Sequence, residues 1–451
     1  MRIQLCLGLL ASSLNLARAF RGQVPLSNRG ISMRSSLALV RACQANSDGA
    51  HSGPMQRGKH QAHLLELAGF CVPPLTLDAS KGGAGRVAVV GGSEEYTGAP
   101  YFAAASALRS GVDLAHVFCE KSAGTAIKSY SPELIVHPLL SVASSGIPQA
   151  DSVKAVGEWI PRLEGILFGP GLGRDEQIVA TCAVLITQAA TLRKPLVLDA
   201  DGLFILTSAY RWGRGKEVFD TMREALGDAP LTITPNKVEF ERLCKALELV
   251  KEGESAFDQA EVLAPKVAAA VGRHTVIVVK GAKDIISDGT STVWCDEVGS
   301  PRRCGGQGDV LAGLLLAFRT WTHLAVEKQA GADHTMSHAL YGKMQVAGSM
   351  AACTVARRCA NKAFARRRRA MLAGDLLEEL GPEFDALFPA EDPDLLRRSS
   401  HESESAGQSQ GSGSKNSAAS QRAASGGSLD GLGSAPKVDW QEDWNKETKL
   451  F

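Results

Sequence analysis

Neither end of the charge scale dominates this chain. Its 451 residues carry 49 Lys and Arg against 48 Asp and Glu, a net charge of +1. That balance gives no footprint for nucleic acid or an anionic membrane surface. The ten cysteines form no CxxC pair and no regular spacing, so neither a zinc site nor a disulfide framework is indicated, and they read as small buried hydrophobes in a reducing compartment. The nucleotide fingerprints are missing too. No GxxxxGK[ST] occurs, which excludes a P-loop, and GPGLGR (Gly169–Arg174) is not GxGxxG. KGGAGR precedes its strand instead of following it, which argues against a dinucleotide-binding turn. There is no GxSxG, no internal repeat and, past the first twenty residues, no apolar run that reads as a bilayer span.

No acidic residue appears before Asp48. Arg2 is followed by an apolar segment of about a dozen residues ending near Ala17 and Ala19, which suits a signal-peptide core. Residues 21–47 are then rich in Arg and Ser. A signal-like segment followed by a transit-like one makes residues 1–50 a targeting segment, with a plastid as the favoured destination. A mitochondrial presequence, or a cytoplasmic chain with a plain tail, is the alternative. At the other end, residues 399–436 are a Ser/Gly/Gln/Ala mixture that cannot bury enough apolar surface to offset its ordering entropy, so disorder is expected. Residues 437–451 carry two Trp and a Phe and have no assignable role.

What remains, residues 64–390, alternates short β-branched runs with helical patterns. RVAVV, LAHVFC, LIVHPLL, GILF, PLVLD, LTIT and TVIVV read as strands without strict alternation, hence as a mostly parallel sheet covered on both faces. The fold class is α/β, in one domain. Ligands of such sheets sit beyond the carboxyl ends of the strands, which gathers GPGLG, DADG, TPN, VKGAKD and CGGQGD along one rim.

Each rim motif has two readings. In RCGGQGD, Gly305, Gly306 and Gly308 leave backbone N–H groups open to an anion, and a helix opening at Asp309 would add its dipole. Asp309 there is placed to take a proton from a hydroxyl. The alternative is a glycine bend with an aspartate N-cap. Lys280, just past a strand, is either a nucleotide contact or a solvated turn. Asn236 and Glu239 are either ligands or a helix cap with an acid in the first turn. Asp199 and Asp201 are either paired carboxylates for Mg²⁺ or a hydroxyl, or a polar turn. Arg366–Arg369 reads as a solvated helix end. His116 and His137, in strand-like runs, read as satisfied core or rim histidines.

Taken in order, KGGAGRVAVVGGSEEYTGAPYFAAASALRSG, YSPELIVHPLL, GPGLGRDE, VLDADGL, TPNKVEFERL, VIVVKGAKDIISDG and RRCGGQGDVLAG closely resemble the ATP-dependent (S)-NAD(P)H-hydrate dehydratase family over about residues 68–388. The resemblance implies a ribokinase-like fold, a doubly wound three-layer sandwich with a mostly parallel central sheet. It implies ATP-dependent dehydration of the S-epimer of hydrated NADH or NADPH, with ATP as co-substrate, Mg²⁺ as cofactor and ADP and phosphate released. It implies a hydrate site at Gly171, Asn236, Lys237, Val238, Glu239, Phe240, Glu241, Arg242 and Asp309, with Asp309 catalytic. It implies an ATP site at Lys280, Gly281, Ala282, Lys283 and Asp284, and at Gly299, Ser300, Pro301, Arg302, Arg303, Cys304, Gly305, Gly306, Gln307 and Gly308. Glu95–Pro100 resembles part of the substrate rim. Val310-Leu311-Ala312 departs from the family's common Leu-Leu-Ser. No epimerase-like second domain is present, so a separate epimerase is expected to interconvert the R and S hydrates, and the chain leaves room for a homo-oligomer. A ribokinase-like kinase of a vitamin precursor, such as hydroxymethylpyrimidine or hydroxyethylthiazole, is the competing activity. A catalytically inactive nucleotide-binding regulator is the non-enzymatic alternative.

Overall fold

The structure, a computed structural model, describes residues 54–389 apart from 77–78, 212–216, 252 and 331–337. The expected targeting segment 1–50 and the C-terminal segments 399–436 and 437–451 therefore lie outside the described residues.

Nine strands form one sheet in the order β3-β2-β1-β4-β5-β6-β7-β8-β9. They are β1 Arg86–Val90, β2 Leu114–Glu120, β3 Ile135–Leu140, β4 Gly165–Phe168, β5 Leu196–Leu198, β6 Leu231–Ile233, β7 Thr275–Val279, β8 Asp284–Ser287 and β9 Thr292–Cys295. The first seven pair in parallel and the last two add an antiparallel hairpin. That hairpin is a feature the sequence reading passed over. It was signalled by Asp288-Gly289: Asp288 Oδ1 accepts from the amides of Thr290 at 2.9 Å and Ser291 at 2.7 Å, and Gly289 takes the φ of +87° that closes the loop.

Side chains of a strand alternate between faces, and here both faces are apolar. Val87, Val89, Leu167, Val197, Val276 and Val278 enter one core; Ala88, Val90, Ile166, Phe168, Leu198 and Ile277 enter the other. This is why the strands read as unbroken hydrophobic runs. The first core is roofed by the helices Pro54–Gly69, Gly98–Arg109, Gln307–Ala330, His338–Arg367 and Ala373–Leu387, and the second by Glu176–Thr191, Asp201–Arg211, Glu217–Leu226, Lys237–Ala246 and Ala260–Val271.

One sequence expectation, that no later run is long and apolar enough for a bilayer span, is corrected by length and composition alone. Within the Gln307–Ala330 helix, residues 307–327 are long and apolar enough to cross a bilayer, but 78% of the apolar window is buried inside the protein. It is a core helix, apolar on all sides because protein surrounds it. It lies so close to the Gly98–Arg109 helix that a Cβ at Gly313 would fall 2.0 Å from Ala103 O.

Candidate active site

Strand order reverses between β1 and β4, and the loops after these two strands meet at the switch point. Gly92 N donates to Pro170 O at 3.0 Å. Gly171, with φ +60°, lies so near the Glu95–Pro100 segment that a Cβ there would sit 2.5 Å from Tyr96 O. The expected substrate-rim segment and the GPGLG loop thus form one wall.

Beside this wall the register aligns Leu198 with Phe168 and Ile233, and Ile233 with Ile277. The residues just past those ends are Asp199 and Thr234, with Lys280 one residue beyond the end of β7. Asp199 is 2% exposed; its Oδ1 accepts from Lys280 Nζ at 2.6 Å and from Thr234 Oγ1 at 2.6 Å. Burial opposes the Lys280 charge, but Asp199 and Glu239 outweigh it and the ammonium is held above its ordinary pKa.

Asp199 and Asp201 do not act as a carboxylate pair. Ala200 between them adopts φ +47°, an uncommon left-handed conformation for a residue with a Cβ. Asp201 opens the Asp201–Arg211 helix, accepting from Gly173 N at 3.0 Å and Arg174 Nε at 2.9 Å. It ties the GPGLG loop down, while Asp199 belongs to Lys280.

Asp309 is not an N-cap, contrary to the bend-and-cap reading: the helix starts at Gln307 and Asp309 lies in its first turn. Burial pushes its carboxyl up to about 7, with the Asp199 charge adding to the rise and Lys280 opposing it. A carboxyl that titrates near neutrality can accept a proton and return it. The glycines before it differ in purpose. Gly306 is structural: its φ is +92°, and a Cβ would meet Ala373 at 2.5 Å and Phe102 at 3.0 Å. A Cβ at Gly305 would meet nothing within 4 Å, and one at Gly308 would meet only Lys280 Nζ, at 3.8 Å. The turn is therefore open where it fronts Lys280, and an α-helix leaves its first four N–H groups without intrahelical partners there.

The run 236–242 divides. Asn236 and Glu239 make a capping box: Asn236 Oδ1 accepts from Val238 N and Glu239 N at 3.0 Å each, and Glu239 Oε2 accepts from Asn236 N at 2.8 Å. Glu239 is also half-buried near Lys280 and Asp199; burial raises its pKa. Lys237, Val238 and Arg242 are exposed. Phe240, by contrast, is fully buried in the core, and Glu241 holds another loop, accepting from Ala256 N at 3.0 Å and Phe257 N at 2.9 Å. These two carry structure and do not line the rim.

Of the residues expected to bind nucleotide, Lys280 turns its side chain to Asp199, and Asp284 turns its carboxylate to Arg357, Nε to Oδ2 at 2.7 Å, while Oδ1 accepts from Gly281 N at 3.1 Å. The Ser300–Gln307 turn is self-bonded: Ser300 Oγ accepts from Arg302 N at 3.0 Å, and Gln307 Nε2 donates to Arg302 O at 3.0 Å and to Cys304 Sγ at 3.2 Å. Thr234 and Arg357 were missed by sequence reasoning. A threonine two residues before an asparagine cap and an arginine deep in a long helix carry no local signal.

Outside this rim, His116 Nδ1 and His137 Nε2 lie 3.0 Å apart, packed on Phe118 and Trp159. They are satisfied strand histidines, as expected. Seven of the eight described cysteines are buried. Arg366 and Arg367 end their helix exposed, paired with Glu378, Glu379 and Asp375.

Comparison with known proteins agrees with this geometry. The family model described as NAD(P)H-hydrate dehydratase matches residues 87–382. An ATP-dependent (S)-NAD(P)H-hydrate dehydratase of Ciona intestinalis is 42% identical over 321 residues, 71% of this chain and 80% of that protein. Among solved structures, a ribokinase-like superfamily protein of Enterococcus faecalis superposes with TM-score 0.52 at 18% identity, covering 72% of this chain and 95% of its own. The Bacillus subtilis ADP/ATP-dependent NAD(P)H-hydrate dehydratase, co-crystallised with ATP/Mg²⁺, gives 0.51 at 19% identity, covering 72% and 97%. At these identities the structural likeness bears on the fold, which is ribokinase-like, while the extent of the sequence match carries the family. The chain belongs to the NAD(P)H-hydrate dehydratase family.

Proposed function

We propose that this protein is an ATP-dependent (S)-NAD(P)H-hydrate dehydratase, a lyase that restores NADH and NADPH from their hydrates. The observation that carries the reading is Asp309: a carboxyl poised near neutrality, in the first turn of a buried helix, behind an open glycine turn and facing Lys280. In the proposed mechanism Asp309 takes the proton of the ring hydroxyl as its oxygen attacks the γ-phosphorus, and ADP leaves. The amides of Gly305–Gly308 and the helix N-terminus hold the developing phosphoryl charge. The phosphorylated oxygen is a good leaving group. The lone pair of the adjacent ring nitrogen expels phosphate, and loss of a proton from the neighbouring ring carbon restores the dihydronicotinamide. Gly171, Asn236–Glu239 and Arg242 would position the hydrate; Lys280–Asp284 and Gly299–Gly308 would receive ATP.

Among the described residues no group of three or more His, Cys, Asp or Glu side chains converges on one point. That suits Mg²⁺ arriving on the nucleotide, since this ion keeps its waters and takes one or two carboxylates besides phosphates. Glu239, half-buried near Lys280 and Asp199, would be the carboxylate to meet it, and the ion would supply charge neutralisation at the phosphates.

The test is an assay with S-NADPH hydrate, ATP and Mg²⁺. The expected result is loss of the hydrate absorbance with NADPH and ADP appearing in equal amounts. ATP turnover only with a hydroxymethylpyrimidine-like alcohol would assign the protein to the vitamin-precursor kinases, and ATP binding without any turnover would make it a regulator. R hydrate should persist until an epimerase is added. For residues 1–50 we propose a plastid address, tested by the location of a fluorescent fusion with and without that segment.

A further inference from the structure

Arg357, in the His338–Arg367 helix, is 12% exposed at its side chain and hydrogen-bonds to neither Asp309 nor Lys280, yet four of its five N–H donors are engaged. Nε donates to Asp284 Oδ2 at 2.7 Å, Nη2 to Gly281 O at 3.0 Å, and Nη1 to Ala282 O at 2.9 Å and, more weakly, to Glu297 O at 3.4 Å. One turn on, Asn361 Nδ2 donates to Gly299 O at 3.2 Å. Arg358 Nε reaches Glu297 Oε2 at 3.2 Å at the more exposed edge. One helix therefore holds four carbonyls from two loops, 281–284 and 297–299, that flank the open end of the β8–β9 hairpin, where Asp284 pairs with Cys295.

We propose that Arg357, seconded by Asn361, is a positioning residue for the nucleotide site, fixing the loop after β7 and the loop after β9 at one separation so that ATP finds both in place. This rests on the reading of those loops as the ATP site. The fork is the reason for arginine here. Four of the five N–H groups of one planar fork meet a carboxylate and three carbonyls together, which a lysine ammonium on a flexible stem does not reproduce. With four of its five N–H donors turned to protein, Arg357 acts on ATP through the loops it holds. Its effect belongs to ATP affinity and leaves hydrate binding and the chemical step alone.

The experiment compares wild type, Arg357→Lys and Asn361→Ala by steady-state kinetics in both substrates and by calorimetry with ATP·Mg²⁺, with thermal melts to show that each variant is folded. Arg357→Lys should raise KM for ATP about tenfold, with hydrate KM and kcat at saturating ATP within about threefold of wild type, because a displaced loop costs binding before it costs chemistry. Wild-type KM for ATP in a folded Arg357→Lys, or an equal rise in hydrate KM, overturns the assignment. If Arg357→Lys does not fold, Asn361→Ala decides it: a rise of about threefold in ATP KM alone upholds the proposal and no change overturns it. A wild type that binds no ATP would bring down the functional reading and this inference together, whereas ATP binding unaltered by the variants brings down only the latter.

Discussion

Lys280 Nζ and Asp199 Oδ1 lie 2.6 Å apart across 81 residues of chain, at the carboxyl ends of β7 and β5. Neither strand shares a hydrogen bond with the other; β6 lies between them and supplies Thr234 as the third member. Removing one partner of a buried pair leaves the other uncompensated, at a cost of about 3 kcal/mol. Lys280→Met should therefore lower unfolding stability by about that amount, and Lys280→Met with Asp199→Asn by clearly less. Urea unfolding of the two variants checks this. Equal losses would show that the pair is not coupled.

Asp309→Asn should lose at least about a hundredfold in kcat, as removal of a general base does, while ATP affinity by calorimetry is retained. Near-normal turnover would remove Asp309 from the proton transfer.

The same substitution should stabilise the fold above neutral pH. Burial raises the Asp309 carboxyl from 3.8 to about 7 in the folded protein. The folded state then binds the proton more tightly than the unfolded one, so stability falls as pH rises through this interval and stays low above it. Asn carries no such charge. The expected gain of Asp309→Asn at pH 8 is roughly 1–3 kcal/mol, vanishing near pH 4. A variant equally stable relative to wild type at both pH values would contradict the burial of this charge.

Activity should follow the deprotonated form. In the free enzyme, kcat/KM for the hydrate should rise with pH through a midpoint near the value of about 7 that burial imposes on Asp309. A profile flat from pH 5 to 9 would place the essential base elsewhere.

Acid should act on the fold through the histidine pair. Burial, with His137 and Arg86 nearby, lowers His116 from 6.5 to about 4. The unfolded chain takes up the proton first, so stability drops as pH falls from 6.5 towards 4. His116→Phe, which keeps a ring packed on Phe118, His137 and Trp159, should recover about 1 kcal/mol of that loss at pH 5 relative to pH 7. No change in the gap between the two urea midpoints would clear His116 of the effect.

Much of the architecture was legible in the sequence because apolar burial on two faces leaves an unbroken hydrophobic run, whatever the partner strand. RVAVV and TVIVV could be read that way; ISDG and STVWC could not, since a short hairpin at the sheet edge mixes serine, threonine and aspartate with its apolar residues and looks like loop. The glycine turn and Asp309 were readable as a pair, and the order of motifs tied them to a family. Their division of labour was not. Nothing local distinguishes Gly306, which a Cβ would force into Phe102, from Gly305, which faces open space.

By itself the sequence determined the layered α/β class, the core strands and the family, and it singled out Asp309 as the residue proposed for the chemistry, because periodicity and motif order are properties of the chain alone. Only the tertiary structure decided that Asp199 serves Lys280 while Asp201 serves Arg174, that Asp309 titrates near neutrality, and that Arg357 holds the turn after β7. Those are properties of desolvation and of distance, and both depend on which remote segments the fold packs against one another.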